Sequence, residues 1–221
     1  MSETLVDPRV SRQKFDREVA QYRQLQDDYI RRGWWMVKAD FPTIFVVFGS
    51  NKGLFRTVVF GVTIDFTNYD LWPPSVQLVD PFTMVPYKTK ELPSPLLRRV
   101  AGPQPPTPVV AAPTSPTSPP TSPTGPTTQA AGATPTAVPA VVSVQAIAQS
   151  WGAEEIPFIC LPGIREYHNN PAHTGDSWLL HRGRGAGSLH FILDQLYKYG
   201  VQPLALSMQV QVSYQAQEVP A

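Results

Sequence analysis

No charged residue occurs between positions 101 and 153, where Pro, Thr, Ser, Ala and Val make up most of the chain. A stretch of that composition buries too little apolar surface to offset the entropy of ordering it. It is therefore expected to be disordered, with polyproline character, over residues 93–140. Its Thr-Ser-Pro repeats read first as spacer, with a tether or a proline-motif ligand as alternatives. Setting the insert aside leaves about 170 residues, enough for one ordinary hydrophobic core built from two separated pieces of chain.

The rest of the composition narrows the function classes. The formal net charge is +1, with Arg98-Arg99 and Arg182/Arg184 as local exceptions. No face-sized basic patch is visible, which argues against a nucleic-acid partner. The apolar runs are strand-sized, far short of a membrane span, and residues 1–8 lack the basic-then-apolar pattern of a signal peptide. One cysteine among 221 residues excludes an intrachain disulfide. A cytoplasmic protein with no membrane contact is expected.

Hydrophobic periodicity predicts an α+β fold. Asp7-Pro8 or Ser11 suits a helix start, and Phe15, Val19, Tyr22, Leu25 and Tyr29 recur at steps of three and four on one face. Gly33 suits its stop. Strands are expected over 34–40, 43–48, 55–66 and 75–79, joined by turn signals at Phe41-Pro42 and Asn51-Lys52-Gly53. In the third of these, Val58, Phe60, Val62, Ile64 and Phe66 alternate with a second set, as on a half-buried strand. This is a helix followed by a four-stranded antiparallel meander, forming the N-terminal part over residues 8–92.

Beyond the insert a C-terminal part is expected over residues 141–200. Residues 141–151 fit a helix or a strand. An extended apolar stretch, 156–163, carries Cys160 and ends at Pro162-Gly163. Residues 164–184 read as a polar loop with three of the four histidines. Ser188 caps a second amphipathic helix, with Leu189, Ile192, Leu193 and Leu196 on one face and Gly200 at its end. Residues 201–221 are expected to be a strand-like or disordered tail, with Leu206, Met208, Val210, Val212 and Tyr214 alternating with polar residues.

Three segments resemble the ubiquitin-conjugating enzyme family, and the order of elements is that of its fold. Residues Phe55 to Phe66 resemble its third strand. Tyr69-Asp70-Leu71-Trp72-Pro73-Pro74-Ser75-Val76 is similar to its Tyr-Pro…Pro-Pro-x-Val corner, and Phe158-Ile159-Cys160-Leu161 to its Ile-Cys-Leu strip. The divergence from the eukaryotic pattern resembles a prokaryotic branch. The resemblance implies a transferase that accepts a ubiquitin-like protein from an activating enzyme as a thioester on Cys160 and passes it to an acceptor protein, with no cofactor. One departure stands out. The family's His-Pro-Asn tripeptide has only Asp80-Pro81-Phe82 as its counterpart, so the usual oxyanion-stabilising Asn is missing.

Cysteine suits a carrier because its thiolate both attacks and leaves readily. His168 and His173 are the candidates for tuning the thiol or deprotonating the acceptor. Asn169, Asn170, Asp176 and His181 are the supporting candidates, the two asparagines for the oxyanion. Three alternatives stand beside the carrier. The fold serves as a binding module with a structural cysteine, a Cys-His hydrolase occupies another fold, or His168, His173, Asp176 and His181 hold zinc, with Cys160 as a further ligand. Gly183-Arg184-Gly185-Ala186-Gly187 reads as a hinge, with an anion cradle as its alternative.

Overall fold

The computed structural model describes residues 5–52, 56–101 and 142–204. Most of the expected disordered insert and all of the expected strand at 206–214 lie outside the described residues. The chain divides into two units, residues 1–98 with 146–221, and residues 99–145.

The first unit opens with α1 (Pro8–Gln24). Asp7 is its N-cap, its carboxylate accepting from Arg9 N–H at 2.9 Å, and Pro8 sits in the first turn, where a missing N–H costs nothing. The single helix expected up to Gly33 is interrupted at Leu25, whose N–H bonds Tyr22 C=O at 3.0 Å in a tightened turn, before α2 (Gln26–Arg32). Phe15, Val19, Tyr22 and Tyr29 are buried as the stripe predicts, but the break turns Leu25 out to 47% exposure. Gly33, at φ 93°, closes α2 in a left-handed C-cap.

The strands β1 (Trp34–Asp40), β2 (Thr43–Ser50), β3 (Thr57–Asp65) and β4 (Ser75–Val79) form one antiparallel sheet in the order β1-β2-β3-β4. Its inner face presents Ile44, Val46, Phe48, Phe60, Val62, Ile64 and Leu78 to α1 residues Phe15 and Val19. The opposite face carries a smaller cluster of Phe45, Val47 and Val79 with Trp35 against it. With both faces covered, β2 is buried from Ile44 through Ser50, which is why it reads as a continuous apolar run. Val58 departs from its expected place and is 41% exposed, because the β2–β3 register shifts between Phe48 and Gly49.

The second unit contains most of a two-stranded sheet, β5 (Leu97–Ala101) with β6 (Val142–Ala146). Ser143 Oγ donates to Val100 C=O at 3.3 Å within it. Regular structure thus reaches Ala101, beyond the boundary at 92 expected from composition, and the ambiguous stretch after the insert begins as a strand. Backbone pairing stabilises these segments where side-chain burial is scarce.

Back in the first unit, β7 (Ala148–Gln149) pairs with β8 (Phe158–Ile159). The expected polar loop is more structured than its composition indicates, holding α3 (Arg165–Asn169), a 3-10 turn at Pro171–His173 and α4 (Trp178–His181). Asn170 and Ser177 supply the side-chain caps, at Ala172 N–H (2.9 Å) and Leu179 N–H (3.3 Å). The last helix, α5 (Leu189–Gly200), has Ser188 Oγ accepting from Phe191 N–H at 3.3 Å. Leu189, Ile192, Leu193 and Leu196 are all buried in the core.

Candidate functional site

Cys160 follows directly on β8, and its N–H bonds Ile147 C=O at 2.6 Å, extending the β7–β8 pairing by one residue. Although the strip ends at the Pro162-Gly163 break, the side chain does not stand on an exposed loop. It is 5% exposed. Burial pushes the thiol above its ordinary value, and the Arg98 charge works in the opposite direction. The resting group is therefore a thiol rather than a thiolate. His173 Nε2 lies 3.4 Å from Cys160 Sγ, within reach of a sulfur hydrogen bond.

The two favoured histidines have different surroundings. His168 Nε2 accepts from Gly163 N–H at 3.0 Å, and Nδ1 lies 2.8 Å from Asp176 C=O. An accepting Nε2 makes Nδ1 the donor, so the ring is a neutral tautomer with both nitrogens committed to backbone. Burial first, then the neighbouring histidines, hold it below its ordinary value, against the pull of Asp176. His168 therefore fastens the turn after Cys160, while His173 is the imidazole facing the sulfur.

Asp176 ties the rest of the segment together. Tyr167 Oη–H donates to Asp176 Oδ2 at 2.7 Å, and His181 Nε2 lies 2.5 Å from Oδ1. These partners hold the carboxyl below its ordinary value, Tyr167 contributing most. The Tyr167 ring stacks on His173 with centroids 4.0 Å apart. Burial and the bond to Asp176 push the phenol up to about 12, so it stays a donor. Trp178 anchors α4 through Nε1–H to Asp70 C=O at 3.2 Å.

Arg165 and Glu166, which follow Cys160 by a few residues, grip the Trp72-Pro73-Pro74-Ser75 corner. Arg165 donates to Thr67 C=O (2.6 Å) and Pro73 C=O (3.2 Å), and its guanidinium lies over the Trp72 ring at 5.6 Å. Glu166 accepts from Val76 N–H at 3.2 Å and from Ser75 Oγ. Sequence reasoning missed both residues and Tyr167. Pro73 and Pro74 cannot donate, so Arg165 holds them through their carbonyls, and an arginine near a Pro-Pro corner was the available signal.

Other candidates sit elsewhere. Asn169 is exposed, and Asn170 Oδ1 is engaged in capping the turn that carries His173. Asp80 Oδ1 accepts from Phe82 N–H (2.9 Å) and Thr83 N–H (2.7 Å), so the carboxylate belongs to its own turn. Glu18, buried on α1, accepts from Leu189 N–H at 3.0 Å and so fills the α5 N-terminus proposed as an anion cradle. Gly187, at φ 78°, has a packing role there, because a Cβ would lie 2.7 Å from the Trp178 ring. Among the described residues no group of three or more His, Cys, Asp or Glu is placed to hold a metal ion. The backbone bonds on both His168 nitrogens give the physical reason against the four-residue zinc set. No described helix is long and apolar enough to cross a membrane.

The chain matches the Y4jH-like family (Y4jH family) over residues 6–116 and 120–204. It is 41% identical over 216 residues to the uncharacterized protein y4jH of Sinorhizobium fredii (strain NBRC 101917 / NGR234), an alignment covering 97% of this chain and 94% of that one. Both matches run through the meander, the cysteine strip and the His-rich segment, and on that evidence the chain belongs to the Y4jH-like family.

Proposed function

We propose that this chain is a ubiquitin-conjugating-like acyl carrier that accepts a ubiquitin-like protein from an activating enzyme on Cys160 and transfers it to an acceptor protein. The observation that carries the reading is the Cys160 Sγ–His173 Nε2 approach of 3.4 Å on a strip packed against β4. Two of the three segments that resemble the conjugating family, the Pro-Pro corner and the cysteine strip, are joined through Arg165 and Glu166. In loading, Cys160 Sγ attacks the carbonyl carbon of the activating enzyme's thioester and the new S–C bond forms. The old S–C bond breaks, His173 Nε2 takes the Cys160 proton, and a proton restores the departing thiol. The acceptor amine then attacks the Cys160 thioester carbon, the C–N bond forms as the S–C bond breaks, and the amine's proton passes to the departing Cys160 sulfur.

One observation favours a second reading, a non-catalytic binding module in the same kind of pathway. At 5% exposure and with its thiol pushed up by burial, Cys160 also fits a structural core residue. Loading requires the Cys160 sulfur to be uncovered to a second thioester, whereas the module requires no such exposure. Incubation with a ubiquitin-like protein, its activating enzyme and ATP, followed by gels with and without reductant, separates them. A reductant-sensitive adduct lost in Cys160→Ala is expected. No adduct, with the activating enzyme shown to be charged, sinks the carrier and leaves the module.

A further inference from the structure

We propose that Tyr167 and Asp176 are positioning residues for the Cys160–His173 pair, with Asp176 fixing the Tyr167 ring and that ring fixing His173. Each link is a contact of defined geometry. Asp176 Oδ2 accepts from the Tyr167 hydroxyl at 2.7 Å, and Tyr167 and His173 stack at 4.0 Å with 21° between their planes. His173 Nε2 then faces Cys160 Sγ at 3.4 Å. Asp176 also grips the same turn through its backbone, its N–H bonding His173 C=O at 2.9 Å. Its second oxygen and its carbonyl are taken by His181 and His168.

A His173 ring free to rotate about its side-chain torsions would meet the sulfur in a fraction of its rotamers. A face-to-face partner removes that freedom without using either ring nitrogen, leaving Nε2 for the thiol proton. Tyr167 itself is 9% exposed and belongs to α3, whose Arg165 and Glu166 are clamped to the Pro-Pro corner. The stack is thus referenced to the sheet rather than to a mobile turn. Asp176 reaches His173 through the Tyr167 ring and through its own backbone N–H.

The inference rests on Cys160 and His173 reacting as a pair, and its test needs no partner protein. Native protein is alkylated with iodoacetamide across a range of pH. The Sγ–C bond forms, iodide leaves, and the thiol proton passes to His173 Nε2. In the unaltered chain alkylation should already proceed at neutral pH, below the range in which the burial-raised thiol itself titrates. His173→Gln should remove that neutral-pH reactivity, slowing the reaction there about 10²-fold, the low end for general-base assistance. Tyr167→Leu should behave like His173→Gln, and Asp176→Asn and Tyr167→Phe should fall between, because each keeps part of the support. Since Tyr167→Leu carries the risk of not folding, the two conservative variants suffice for the decision.

Variant profiles that overlay the original while melting temperature falls would make Tyr167 and Asp176 merely structural and overturn the inference. So would a single rise at the thiol's own titration, or a thiol that reacts only after denaturation. A normal alkylation profile combined with no loading in the gel assay removes the carrier reading alone.

Discussion

The sheet β1–β4 and the segment from Gly163 to Gly187 are held by different forces. In the sheet, stability comes from apolar burial repeated along β2, β3 and β4. Ile44, Val46, Phe48, Phe60, Val62 and Ile64 are at most 1% exposed. The Gly163–Gly187 segment has a smaller apolar share, mainly Ile164, Tyr167 and Trp178. It is shaped by directed polar contacts around Asp176, His168 and Arg165. Non-directional burial tolerates small displacements and produces a frame. Directed contacts specify angles, which is what a sulfur and an imidazole require of their surroundings.

The largest effect expected from this contrast is in the frame. Phe48→Ala removes a fully buried ring packed on Phe60 at 5.1 Å between centroids. It should cost about 3–5 kcal/mol in denaturant unfolding. A loss under about 1 kcal/mol would mean that the sheet core repacks freely and that the contrast is overdrawn.

A smaller effect is expected where the two ends of the segment meet by close backbone. Gly163 has φ 91°, and a Cβ there would lie 2.8 Å from the Ala186 carbonyl carbon. Gly163→Ala should destabilise by about 1–3 kcal/mol. Hydrogen exchange should speed up around residues 161–168 before it does so in β2. Uniform acceleration across both would show that the segment has no separate stability.

The smallest effect is a pH response confined to the segment. Burial holds His168 below its ordinary value of 6.5, and Tyr167 and His181 hold Asp176 below 3.8. In both cases the unfolded chain takes up the proton first. The stabilisation is therefore present above the ordinary value and lost as pH falls through the lowered one. Exchange in 163–182 should accelerate first below about pH 6.5 from His168, then again in the acid range from Asp176. The sheet, whose core has no titrating side chain among its strands' buried residues, should not follow until acid unfolding. Equal acceleration in sheet and segment would break the comparison.

Most of the frame was legible because each core residue acts through its own hydrophobicity and a local period. Strands over 34–40 and 75–79 fall at their expected limits, and Asp7, Gly33 and Ser188 end their helices as their types predict. Leu25 and Val58 departed for reasons with no local signal, a tightened helical turn and a register shift. In the candidate site, Cys160, His173 and Asp176 were named from residue type, but their division of labour was not. His168 looked equivalent to His173 until both its nitrogens were seen bonded to backbone.

Sequence alone therefore determined the α+β order of elements, the core faces and the placing of the sole cysteine at the end of an apolar strip, all consequences of short-range periodicity and backbone chemistry. Tertiary structure alone decided that Cys160 is buried, which imidazole meets its sulfur, and that Arg165 and Glu166 hold a corner about 90 residues earlier in the chain. The physical reason is range. Periodicity is written in neighbours three or four positions apart, whereas a hydrogen bond between distant residues depends on how independently formed elements come to rest against one another.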